Sequence, residues 1–160
     1  MGRLISNLDE RVILDDGKSS ITSHSATIED VGQFTRRLDT ISTKFSGSGI
    51  EILRFVDSEE ESVAGSFVKG DVRYIRISNL TPCSVDLYFI KSNEESTIFN
   101  LDGEKTFMLG NGKFNASSVS DYVVEGYVDP TYYSNLVGID TIKAKAYPSS
   151  SLLEIVVASK

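Results

Sequence analysis

The sequence predicts an all-β chain, an antiparallel β-sandwich or jelly roll with an extended N-terminal arm. Three observations carry this. Between Asp71 and Leu109, apolar runs alternate with polar residues and are cut by turn residues. Towards the end, Ile142, Ala144 and Ala146 alternate with Lys143 and Lys145, and Leu152 to Ala158 is a nearly continuous apolar run. Turn signals recur at roughly ten-residue spacing, the rhythm of eight or nine short strands.

Taken in order, Gly2 to Asp16 carries two apolar patches, Leu4-Ile5 and Val12-Ile13-Leu14, separated by Asn7-Leu8-Asp9-Glu10. Gly17 to Thr27 is rich in Ser and Thr and reads as a loop or linker. Residues 1–27 are thus expected to form an arm and linker, and 28–160 the sandwich domain. The arm could dock on a neighbour, with Leu4, Ile5, Val12, Ile13 and Leu14 as its contacts. It could equally be an edge strand of the same sandwich.

Ile28, Val31, Phe34, Leu38 and Ile41 recur at helical spacing. Thr27 with Asp30 resembles a capping box. Gly32 and the run Thr40-Ile41-Ser42-Thr43 oppose a helix. The reading is one short helical turn near Thr27 to Gln33, then extended chain. Ser46-Gly47-Ser48-Gly49 is a turn, Ile50 to Val56 a strand, and Asp57 to Glu61 an acidic loop. A further short strand is expected within Val63 to Lys69.

In the central block, Val85, Leu87 and Phe89 share one face of a strand, and Asp86, Tyr88 and Ile90 the other. Asn79-Leu80-Thr81-Pro82 is a turn, because Pro cannot continue a paired strand. Asp102-Gly103 is a hairpin-type turn signal. Tyr122 to Val128 predicts a strand stopped by Asp129-Pro130. Ile142 to Ala146 predicts a half-buried strand, and Leu152 to Ala158 a central strand buried on both faces.

Composition bounds the function. The 160 residues hold 16 Lys and Arg against 23 Asp and Glu, a formal net charge of −7. Such a surface repels phosphate backbones and disfavours nucleic-acid binding. No run approaches the ~20 apolar residues that span a bilayer as a helix, so no membrane partner is expected. The first sixteen residues have neither a long apolar core nor a small-residue cleavage site, so no secretory signal is expected.

One His and one Cys leave little for catalysis. His24 lacks an identifiable orienting partner for triad chemistry. Cys83 follows Pro82 with no basic neighbour to lower its pKa, and reads as a small buried or semi-buried thiol. A zinc site needs three or four ligands, and the acidic turn at Asp57 lacks the ligand alternation of a calcium loop. No enzymatic activity, cofactor or metal is expected. Tyr132 and Tyr133, just after a turn-forming Pro130, offer rigid contact area suited to an interface.

Phe67 to Lys91, followed by Phe99 to Gly110 and then by Ile142 to Ala146 and Leu152 to Ala158, resembles small virion proteins of tailed, cyanophage-like bacteriophages. Their pattern is a strand of the type Arg-Tyr-Ile-Arg-Ile-x-Asn-Leu, a second apolar strand, and a turn built on Leu-Asp, Gly and Phe. The likeness covers about half the chain, and its motifs are structural. It implies a non-enzymatic β-sandwich component of a virion, made in the host cytoplasm. Its partners would be the major capsid protein or another virion protein, with homo-oligomers expected. A capsid decoration or cement protein is the leading expectation. A neck, tail or baseplate component is the alternative within the particle, and a carbohydrate-binding module using Tyr132 and Tyr133 the alternative outside it.

Overall fold

The computed structural model describes residues 2–13, 19–44, 49–59, 63–91, 96–110 and 139–160. Eleven strands are present among them: β1 (Gly2–Ile13), β2 (Ser19–Val31), β3 (Gln33–Ile41), β4 (Ile50–Val56), β5 (Ser66–Val68), β6 (Val72–Asn79), β7 (Ser84–Lys91), β8 (Ser96–Leu101), β9 (Thr106–Gly110), β10 (Ile139–Tyr147) and β11 (Ser151–Ser159). A 3-10 turn, Lys69–Asp71, joins β5 to β6.

Two sheets form the sandwich. One has five strands in the order β5-β4-β10-β7-β8, and the other four in the order β3-β11-β6-β9. All pairings within them are antiparallel except β4 with β5. Strand alternation sorts the side chains: Val85, Leu87, Ile142, Ala144 and Ala146 are buried on the inner face of one sheet, facing Ile75, Ile77, Leu153, Ile155 and Val157 of the other. Lys143 and Lys145 stand on the outer face, as the alternation predicts. β11 lies between β3 and β6, and only Leu152 along it is not buried. That matches the expected central strand, because both of its faces are covered.

The expected linker is instead a strand. β2 pairs with β1 over nearly its whole length, from Leu4 opposite Ile28 to Ile13 opposite Ser19. Ser and Thr can line a solvent-facing ladder, and the backbone groups of Gly2 to Ile13 needed a partner. His24, read as a linker residue, sits in β2 opposite Leu8. The helical turn near Thr27 is also corrected, since β2 runs through it to Val31. Asp30 there has a positive φ of 57°, and Gly32 turns the chain into β3. A Cβ at Gly32 would meet the Lys160 carbonyl carbon at 2.7 Å, so only glycine fits this corner.

The turn at Asp102-Gly103 is present but does not close a hairpin within one sheet: β8 and β9 belong to different sheets. The same is true of the turns joining β6 to β7 and β10 to β11. All three cluster at one end of the sandwich, around a buried amide. Asn79, 2% exposed, donates from Nδ2 to the carbonyls of Cys83 at 2.6 Å, Asp102 at 3.2 Å and Leu101 at 3.4 Å. Its Oδ1 accepts from Ser151 Oγ at 2.7 Å, Thr81 Oγ1 at 3.0 Å and the Thr81 amide at 3.2 Å. One side chain therefore ties three turns together. Half-buried Cys83 lies beside them, its Sγ 2.8 Å from Ser149 Oγ. The strand expected at Tyr122 to Val128 and the turn at Ser46 to Ser48 lie outside the described residues.

Candidate interaction surface

The candidate surface is the outer face of the four-stranded sheet together with the β1–β2 hairpin whose base packs on it. Register places Phe34, Arg36, Leu38 and Thr40 of β3 beside Ala158, Val156, Glu154 and Leu152 of β11 on this face. Tyr74, Arg76 and Ser78 of β6 follow, then Met108 and Thr106 of β9. A central strand with apolar residues on both sides needs a cover, and the base of the hairpin supplies it. Leu4, Ile28 and Val31 pack on Tyr74, Val156, Ala158 and Met108.

Beyond the hairpin base, the face carries a charged triad. Glu154, only 8% exposed, accepts from Arg36 Nε at 2.7 Å on one oxygen and from Arg76 Nη2 on the other. The hydrogen bond from Arg36 holds the Glu154 carboxyl below the usual carboxylate range; burial opposes this, and the Arg76 charge adds to it. Three strands, β3, β11 and β6, are thereby pinned side by side. Two guanidinium groups on one carboxylate leave the triad with a net positive charge on an acidic protein. The Arg36 side chain is 65% exposed.

A second charged cluster lies at the β4–β5 end of the other sheet. Lys69 Nζ donates to Asp140 Oδ1 at 2.6 Å and to Asp57 Oδ1 at 2.8 Å, with the lysine side chain 10% exposed. Burial alone would lower the Lys69 pKa, but the bonds to Asp140 and Asp57 outweigh it and raise it. This joins the 3-10 turn to β10 and to the chain after β4. Part of the expected acidic loop is thus used structurally.

The outer face of the five-stranded sheet mixes polar and apolar groups: Ile98, 57% exposed, lies opposite Tyr88, and Tyr147 is 44% exposed. Asn100 donates to Asp86 Oδ1 at 2.7 Å, and Lys145 Nζ lies 5.2 Å from the Tyr147 ring centroid. An aromatic seam of Phe89, Phe107 and Phe99, with centroids 5.3 and 5.2 Å apart, closes the sandwich where β8 meets β9. Among the described residues, no group of three or more His, Cys, Asp or Glu is placed to hold a metal ion.

The residues expected at an interface divide four ways. Leu4 packs on the protein's own sheet. Ile5 and Ile13 are 52% and 64% exposed on the hairpin. Val12 lies in β1 opposite Ser20, and Leu14, Tyr132 and Tyr133 lie outside the described residues. Sequence reasoning missed Ile21, 66% exposed, and the strip of Phe34 and Leu38, 55% and 58% exposed. Ile21 is the one large apolar residue in Ser19–Ser25, a signal dismissed with the supposed linker. Phe34 and Leu38 fall in the extended chain expected after Gln33, which is β3; their spacing of four, which also fits a helix, returns to one face of a strand. No protein-family model, curated protein or solved structure matches the chain.

Proposed function

We propose that this protein is a non-enzymatic structural component of a phage particle, a decoration protein that holds the capsid exterior by surface contact. The observation that carries the reading is the hairpin. Among the described residues, its base packs on the sandwich through Leu4, Ile28 and Val31, while Ile13 and Ile21 near its far end are 64% and 66% exposed. Twelve- and thirteen-residue strands reach ~40 Å at ~3.3 Å per residue. A two-stranded ribbon of that length is marginal alone in water, and exposed isoleucines at its end gain most from a partner surface.

A compact body with one projecting arm suits a protein that bridges neighbours, because two weak contacts held on one chain reinforce each other. The resemblance of Phe67 to Lys91 and Phe99 to Gly110 to phage virion proteins supplies the particle as the setting. The net charge of −7 keeps such a body soluble until it meets its site. The test is the composition of purified particles of the phage that encodes the chain. Copies in proportion to the major capsid protein support decoration, a dozen or so move it to the neck or tail, and absence overturns the reading.

A further inference from the structure

The β1–β2 hairpin is a separable unit. Its strands pair with each other, and among the described residues neither enters a sheet of the sandwich. It is held by one apolar seat, in which Leu4, Ile28 and Val31 pack on Tyr74, Val156 and Ala158 of the four-stranded sheet. Ile28 is 6% exposed and Ala158 0%, so the seat excludes water. The surface that fits the seat is this hairpin's base, whichever copy of the chain supplies it.

The connection to the body is short and bent. Gly32 alone separates the end of β2 at Val31 from the start of β3 at Gln33. The β1–β2 ladder slips between Gly2 and Leu4. Asp30, on the facing strand, has a φ of 57°, in the left-handed region that costs a residue with a Cβ. The Gly32 amide donates to the Ser159 carbonyl at 2.9 Å, and a Cβ on Gly32 would meet the Lys160 carbonyl carbon at 2.7 Å. The hairpin reaches its own sheet only through this tight corner. A short strained hinge beside a self-contained element favours exchange of that element between copies. Exchange straightens the corner and fills the same seat with the same side chains. The seat's contacts are therefore equal in both arrangements, and the hinge and the protein concentration decide between them.

We propose that two copies of the chain exchange hairpins, the base of each sitting on Tyr74, Val156 and Ala158 of the other, with Asp30 to Gln33 extended as the hinge. The exchange is reciprocal, so it closes as a dimer. Ile13 and Ile21 take no part in it. It is thus independent of any capsid contact those isoleucines make, and each dimer still presents two hairpin ends.

Size-exclusion chromatography with light scattering tests it, on the full chain refolded from urea at low and at high protein concentration. Dilute refolding should give single chains. Concentrated refolding should give a dimer that dissociates slowly on dilution, because each hairpin must leave its seat before the exchange reverses. Gly32→Ala places a Cβ in the closed corner and should turn the dilute sample into dimer with an unchanged circular dichroism spectrum. A purely structural role for Gly32 would lower the melting temperature and leave the mass alone. Inserting Gly-Gly-Gly after Gly32 lets each hairpin reach its own seat without the bend, and should give single chains at both concentrations. Ile28→Ser weakens the seat and should abolish the dimer. Should Gly32→Ala fail to fold, the wild type and the insertion decide. A wild type that stays a single chain after concentrated refolding overturns the proposal, as does a dimer that survives the glycine insertion or Ile28→Ser.

Discussion

Replacing Asn79 by Ala removes the amide that holds the turns at one end of the sandwich. Six hydrogen-bond contacts converge on it. An amide has two N–H donors and two acceptor lone pairs, so about four of these count at full strength. At about 1 kcal/mol net for each, the loss is about 4 kcal/mol before relaxation. Thr81 and Cys83 are half-buried and Asp102 is exposed, so water can recover part of this, about 1 kcal/mol. Ser151 keeps Thr81 Oγ1 as a partner and is not orphaned. The expected destabilisation is about 3 kcal/mol, which lowers the melting temperature by about 6–12 °C in a chain of this size. Urea unfolding of both proteins, with a shifted midpoint and unchanged slope, measures it directly. A cost below about 1 kcal/mol would refute the reasoning, because the three turns would then be held by something other than this amide.

Glu154→Gln tests the triad through pH. The carboxyl pKa is held below its ordinary 4.5 in the folded state, so its contribution is full above that value and is lost as pH falls through the lowered one. Wild type should exceed the variant most at neutral pH, and the gap should narrow in acid unfolding series below pH 4.5; a gap that stays constant into strong acid would contradict it. Gly49→Ala should be severe: φ is 84° and a Cβ would lie 2.1 Å from the Ala144 carbonyl oxygen. Thermal melting should show a loss of at least about 2 kcal/mol, and a neutral substitution would contradict the close approach of the two segments.

The sandwich was legible because burial imposes a period of two wherever a strand covers the core. Val85 and Leu87, and Ile142, Ala144 and Ala146, were placed correctly for that reason. The unbroken run of β11 announced a strand with two covered faces. The hairpin was not legible. Its Ser- and Thr-rich second strand carries little hydrophobic signal, and what stabilises it is backbone pairing, which composition does not display. The false helical turn at Thr27 arose because Ile28 and Val31 do pack inward, on the outer face of a sheet, at a spacing that fits a turn of helix too. Asp102-Gly103 signalled a turn but not which sheets it joins, since a tight turn and a sheet-crossing turn use the same residues.

The candidate surface was half visible. Ile5 and Ile13 stood out as apolar residues among polar ones, and the structure leaves both exposed. Arg36, Arg76 and Glu154 are far apart in sequence and meet only because β3, β11 and β6 are neighbours. No local pattern marks such a triad. Phe34 and Leu38 needed the register of β3 on β11 before their shared, solvent-facing side could be seen.

Quantitative mass spectrometry of purified particles, counting this chain against the major capsid protein, tests the central claim most directly. The account predicts copies in a fixed, symmetry-related proportion to the capsid subunits, lost from particles when Ile13 and Ile21 are both changed to Asp. Particles that lack the chain altogether would contradict it.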